Sequence, residues 1–243
     1  MTSGWARKIL EDFGFDFEVV YAEEIAEGNL RSRFDVLILE DGAVPAPESQ
    51  GSRSADPAGV PAEYRDRIGA ITAERGVPEI LDFARSGGTV IAAGSSAKLG
   101  YYAGLPISDH LLENGRSPSR SEYYTPGSVH SLKIEHDSPL THGLGDRLDV
   151  MFNNSPLFDL DAGAEAAGVK RLGWFDTDRP LRSGWAWGQE RMQGGTALIE
   201  AKLGDGRLFL FTPRITFRAQ SHAAFPLLFN GIFYGSADDQ PIF

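Results

Sequence analysis

The sequence contains no cysteine, which excludes disulfides, thiolate metal sites and a cysteine nucleophile. It has no uninterrupted apolar run of about 18 residues, the length a helix needs to cross a bilayer, so a membrane is not expected as a partner. Basic residues are in the minority: 23 Lys and Arg stand against 34 Asp and Glu, a formal net charge of −11. That balance argues against nucleic acid as a partner, because neutralising phosphates requires a basic surface. The N-terminus lacks a basic segment followed by an apolar stretch, so no signal peptide is expected in this sequence. What is present supports a folded core: 42% of residues are hydrophobic and 11% aromatic. A length of 243 residues suits one large domain.

Trp5, Ile9, Leu10 and Phe13 recur at helical spacing before Gly14, which predicts a short opening amphipathic helix. Phe17 to Tyr21 reads as a strand, Glu23 to Glu27 as a helical turn, and Phe34 to Leu39 as an apolar strand suited to a parallel sheet. Residues 42–66 shift to Pro, Gly, Ser and charge without periodicity, which predicts a long mobile loop inside one domain. Val77 to Ser86 reads as a helix stopped by Gly87-Gly88, and Thr89 to Ala93 as a buried strand. Gly94-Ser95-Ser96 then turns into a short helix, Ala97 to Tyr102. Residues 125–212 form a β-rich half, with strands expected at Ser128 to Glu135, Asp149 to Phe152, Val169 to Phe175, Gly195 to Ala201 and Arg207 to Phe211. Gly204-Asp205-Gly206 marks a hairpin turn, and Ser221 to Tyr234 reads as the last helix. The pattern predicts one α/β domain over 1–243. Open parallel sheets normally begin with a strand, so either the topology is unusual or, as expected here, a first strand ahead of Gly4 is missing.

Six segments carry a resemblance: GWARKILEDFGF, FDVLILEDGAVP, GGTVIAAGSS, MFNNSPLF, DTDRPLRSGWAWGQ and GRLFLFTPRITFRAQSHAAFPLLFNGIFYG. Together they resemble the class I glutamine amidotransferase-like domain at the C-terminal end of some bacterial zinc carboxypeptidase-family proteins, the carboxypeptidase A-like metallopeptidases. The similarity runs from Gly4 to Gly235, and DRPLRSGWAWGQ and FRAQSH are its most specific parts. It implies a three-layer, flavodoxin-like sandwich with an appended antiparallel β-rich section. It further implies an accessory, non-catalytic role, binding a small-molecule or peptide ligand or packing on a metallopeptidase domain or chain. Family members usually carry a strand and a metallopeptidase domain before the GW segment, so this chain is expected to be a separated C-terminal part. Zinc is then expected only in the peptidase domain, and no cofactor in this chain. Many members are exported, which leaves the compartment open.

Several constellations are candidates for chemistry. Gly94-Ser95-Ser96, at a strand-to-helix turn, has the setting of a nucleophile elbow. The amidotransferase-like fold places a cysteine there, so glutamine hydrolysis through a thioester is excluded. Ser95 or Ser96 would serve a serine hydrolase or amidase if His222 lay within hydrogen-bond reach; otherwise the serines cap the following helix. Related enzymes carry an acid two residues after the histidine, where this chain has Ala224. His110 and Glu113 match the His-x-x-Glu spacing of zinc carboxypeptidases, but in a polar connector without recognisable further ligands, so no metal site is expected. Arg179, Arg182, Trp185 and Trp187 offer guanidinium and indole groups for a carboxylate, planar or sugar-like ligand. The alternative is internal pairing of the arginines with Asp176 or Asp178, the indoles covering a sheet edge. With Asn153, Asn154, Arg214, Arg218 and Gln220 they are expected to rim one pocket at the carboxyl edge of the strands.

Overall fold

The computed structural model describes residues 2–48 and 57–237. In chain order the elements are α1 (Thr2–Asp12), α2 (Ala22–Glu27), β1 (Val36–Leu39), α3 (Val77–Arg85), β2 (Thr89–Ala93), α4 (Leu99–Tyr102) and β3 (Ile107–Asp109). There follow β4 (Pro126–Ile134), β5 (Arg147–Asn153), β6 (Phe158–Leu160), β7 (Val169–Trp174), β8 (Leu181–Ser183), β9 (Thr196–Leu203), β10 (Gly206–Phe211) and α5 (Phe225–Gly235).

One mixed sheet runs through the molecule in the order β1-β2-β10-β9-β7-β4-β5, with the short β3, β6 and β8 paired beside it. β1, β2 and β10 are parallel, with Ile91 opposite Ile38 on one side and Phe209 on the other. The hairpin from β9 to β10 begins the antiparallel part, with Gly206 opposite Leu203. The β-rich half therefore continues the same sheet as an antiparallel extension of its parallel part. Its strands find ladder partners on the exposed side of β10 through β9, so no separate layer is needed.

Period-two alternation sorts β2 and β10 onto two cores. Val90, Ala92, Leu208 and Leu210 face Ile80, Phe83 and Ala84 of α3. Ile91, Ala93, Phe209 and Phe211 face Ile9 and Leu10 of α1 and Phe225, Leu227 and Leu228 of α5. Helix α3 buries Val77, Ile80, Leu81 and Ala84, a 3.6-period stripe, and leaves Asp82 and Arg85 in solvent. Complete burial of one such side chain stabilises the fold by about 1.5–3 kcal/mol.

Four expectations change. Phe17 to Tyr21 is not a strand, because its backbone makes no ladder with β1, whose partner among the described residues is β2. Its apolar side chains Phe17 and Val19 are correspondingly exposed. The 42–66 segment carries a 3-10 turn at Pro57–Gly59 and, reaching just past its end, a six-residue 3-10 helix at Ala62–Arg67, while residues 49–56 lie outside the described residues. The helix expected at 97–102 starts as a 3-10 turn at Gly94–Lys98, and the last helix is preceded by another at His222–Ala224. Strands β3, β6 and β8 had too few residues to show a period.

Candidate functional site

Three parallel strands end together at one edge of the sheet, and in open α/β sheets ligands bind outside such carboxyl ends. β1 runs into Glu40-Asp41, β2 into Gly94-Ser95-Ser96, and β10 into Thr212-Pro213-Arg214. The polar residues that must cap three apolar strands thus meet in one place.

The sharp turn after β2 is made by Gly94 itself, at φ +61. A nucleophile elbow holds its reactive residue at such a strained strand-to-helix turn. Here that position has no side chain, and the space in front of it is taken: a Cβ on Gly94 would lie 2.5 Å from Asp41 Oδ1 and 2.6 Å from Asp41 Cβ. The two serines follow inside the 3-10 turn, with their hydroxyls engaged. Ser96 is fully buried; its Oγ accepts from the N–H groups of Ala43 (3.0 Å) and Val44 (3.1 Å) and donates to the Glu40 carbonyl (2.6 Å). Ser95 Oγ accepts from Gly42 N (3.0 Å) and donates to Asp41 Oδ1 (2.8 Å), and Ser95 N donates to the same oxygen (2.8 Å). Both serines therefore tie the turn after β1 to the turn after β2.

Asp41 is held on its other side by Arg214, whose Nη2 stands 2.6 Å from Oδ2. Arg214 N donates to Met151 O at 2.9 Å, which ties the loop after β10 to β5. Among the described residues, the buried Arg214 Nε has no hydrogen-bond partner, nor has the buried Thr212 Oγ1. The Glu40 carboxyl is buried and accepts from Thr216 Oγ1 at 2.8 and 3.0 Å. Burial pushes its pKa up to about 7; the Thr216 hydrogen bond opposes the shift, the charge of Asp41 adds to it, and the charge of Arg214 opposes it. A carboxyl that titrates near neutrality, a carboxylate and a guanidinium with a spare donor can hold an anion or exchange a proton.

Backbone strain gathers near this edge. Asn154, Arg218 and Ala219 adopt φ +46, +53 and +51, conformations that cost energy and cluster at ligand sites. Asn154 Oδ1 accepts from Thr125 N (2.8 Å), and Asn153 ends β5 opposite Pro126. Arg218 lies over the Phe217 ring at 5.1 Å, and Gln220 is exposed.

The other sequence candidates are dispersed. His222 is exposed and stacks on Phe225 at 4.9 Å; among the described residues no hydrogen bond joins it to Ser95 or Ser96. His110 Nδ1 pairs with Asp159 at 2.6 Å, whereas Glu113 pairs with Arg191. Arg182 Nε lies 3.7 Å from Asp149, while Asp176 is taken by Arg147. Trp185 and Trp187 stand exposed on an arm after β8. A cavity of about 380 Å³ lined by His136–Pro139 and Thr141–Gly143 contains none of the expected ligand residues. Glu40, Asp41 and Thr216 escaped the sequence reading, although an acidic pair directly after the apolar FDVLIL run is a signal that was there to use.

No family model matches the sequence, and no curated protein matches it. Solved structures do share its fold. A candidate GMP synthase subunit from Thermoplasma acidophilum aligns with a TM-score of 0.55 at 10% identity, over 95% of this chain and 86% of its own. A cytoplasmic protein of Salmonella typhimurium aligns at 0.53 and 12%, over 96% and 86%. A ThuA-like protein from Parabacteroides merdae aligns at 0.52 and 14%, over 99% and 87%.

Proposed function

We propose that this chain, whose fold is of the class I glutamine amidotransferase-like type, is a non-catalytic, ligand-binding domain accessory to a zinc carboxypeptidase-family peptidase; the fold by itself leaves activity open. The observation that carries the non-catalytic reading is the occupied elbow: Gly94 stands at the turn and Asp41 fills the space a nucleophile would need. The engaged hydroxyls of Ser95 and Ser96 support it further. Ligand binding is favoured by the half-satisfied Arg214, the protonatable Glu40 and the strained Asn154 and Arg218. The peptidase partnership rests on the sequence resemblance alone.

The test is hydrolysis of glutamine, followed as ammonia release, and of p-nitrophenyl esters. Both are expected at the uncatalysed rate. A rate above it that falls on Ser95→Ala or Ser96→Ala, and also on His222→Ala, would establish the competing serine hydrolase or amidase.

A further inference from the structure

The arm after β8 presents two large aromatic side chains to solvent on a backbone that is held rigidly. Trp185 is 53% exposed and Trp187 55% exposed. β8 pairs with β4, and Trp187 then pairs back onto Tyr124, each N–H donating to the other's carbonyl at 2.9 Å. Gly184 and Gly188 flank the arm in left-handed conformations, φ +93 and +68. A Cβ on Gly184 would lie 2.9 Å from Ser128 Cβ, and one on Gly188 would collide with the Glu122 carbonyl. The arm is therefore pressed flat against the 122–128 stretch. The Gln189 side chain closes it by accepting from Leu181 N at 3.0 Å.

The rings themselves are also fixed. The Trp187 indole N–H donates to Ser121 O at 2.6 Å. Trp185 meets the edge of Tyr124 at 5.9 Å, and the Arg120 guanidinium lies over the Tyr124 ring at 5.4 Å. Ordering two indoles in water forfeits the burial that normally stabilises them, so the arrangement calls for an occupant.

We propose that the Trp185–Trp187 arm is a carbohydrate-binding platform that stacks the apolar C–H faces of pyranose rings on the indoles. The proposal goes beyond the ligand-binding reading above, whose residues lie at the carboxyl edge, and gives this separate arm a ligand class of its own. Size and charge select the occupant. Two half-exposed indoles offer about 250 Å² of surface, well below the roughly 800 Å² per partner of a stable protein interface. Stacked nucleobases would bring phosphates to a chain with net charge −11. A neutral sugar carries no such penalty, and Arg120 supplies donors for its hydroxyls beside the stacked rings.

The experiment is a tryptophan-fluorescence titration of the full chain with cellohexaose, maltohexaose and chitohexaose. Saturable quenching by at least one sugar is expected, weakened about tenfold by Trp185→Ala, as loss of a stacking ring requires. The bound sugar should also protect Trp185 and Trp187 from N-bromosuccinimide oxidation while leaving Trp5 and Trp174 unchanged, a readout that needs no variant. Absence of saturation with all three sugars would overturn the proposal, as would binding indifferent to Trp185→Ala, or binding of a proline-rich decapeptide in their place. The titration tests the arm and the hydrolysis assays test the elbow, so either reading can fail without the other.

Discussion

Asp41 and Gly94 divide one space between them: the carboxylate of the first occupies the position into which any side chain on the second would project, 2.5 Å from Oδ1. At the sharpest turn of the sheet's carboxyl edge, a glycine at φ +61 thus meets a carboxylate bound to Ser95 and Arg214. The turn therefore has no room for a side chain at Gly94.

Gly94→Ala should destabilise the protein by about 1–3 kcal/mol from the left-handed backbone alone, with the clash against Asp41 in addition. Asp41→Ala removes the clash but also the partner of Arg214. The double variant should therefore lose less than the sum of the two single losses, as residues in contact do. Urea unfolding of the three variants measures it.

Ser96→Ala leaves the N–H groups of Ala43 and Val44 and the Glu40 carbonyl without their shared hydroxyl. A loss of about 1–3 kcal/mol is expected, chiefly from the buried Val44 N–H, because Ala43 N still donates to Glu40 O at 3.0 Å. Ser95 is half-buried, so Ser95→Ala should cost less. Equal and negligible losses in urea midpoint would contradict the structural role assigned to Ser96.

Glu40 and His130 give stability opposite pH dependences. With its carboxyl pushed up to about 7 from 4.5, Glu40 holds a proton in the folded state that the unfolded chain has released. Stability from this group is complete below about 4.5, falls as pH rises towards 7, and is flat above, a change of up to roughly 3 kcal/mol. Glu40→Gln should remove that slope and raise stability at pH 8 relative to the parent.

His130 is fully buried, hydrogen-bonded through Nε2 to Ser128 at 2.8 Å, and depressed by burial to about 4. The unfolded chain takes up its proton near 6.5, so stability falls as pH drops from there towards 4, again by up to roughly 3 kcal/mol. His130→Gln should abolish that loss. The two slopes oppose each other between pH 4.5 and 6.5, so each variant is compared with its parent across pH 4–8 by urea unfolding.

Much of the frame was legible in sequence because burial on both faces writes long apolar runs: TVIAA and GRLFLF are β2 and β10 within a residue. Phe17 to Tyr21 misled because its apolar pattern is that of a strand, yet a strand exists only through its ladder partners. The site was legible in part. Ser95, Ser96 and Arg214 stood out by chemistry, but the positive φ of Gly94 and its close approach to Asp41 are written in no motif. Glu40 and Thr216 are 176 positions apart, and only the sheet order β1-β2-β10 brings them to one edge.

Incubation with a fluorophosphonate, followed by intact-mass measurement, tests the absence of a nucleophile most directly. The account predicts unmodified protein after prolonged exposure, since both hydroxyls are engaged in holding the turns and, among the described residues, no histidine hydrogen-bonds to either. A single adduct on Ser95 or Ser96 that disappears in His222→Ala would contradict it and make the chain a serine hydrolase.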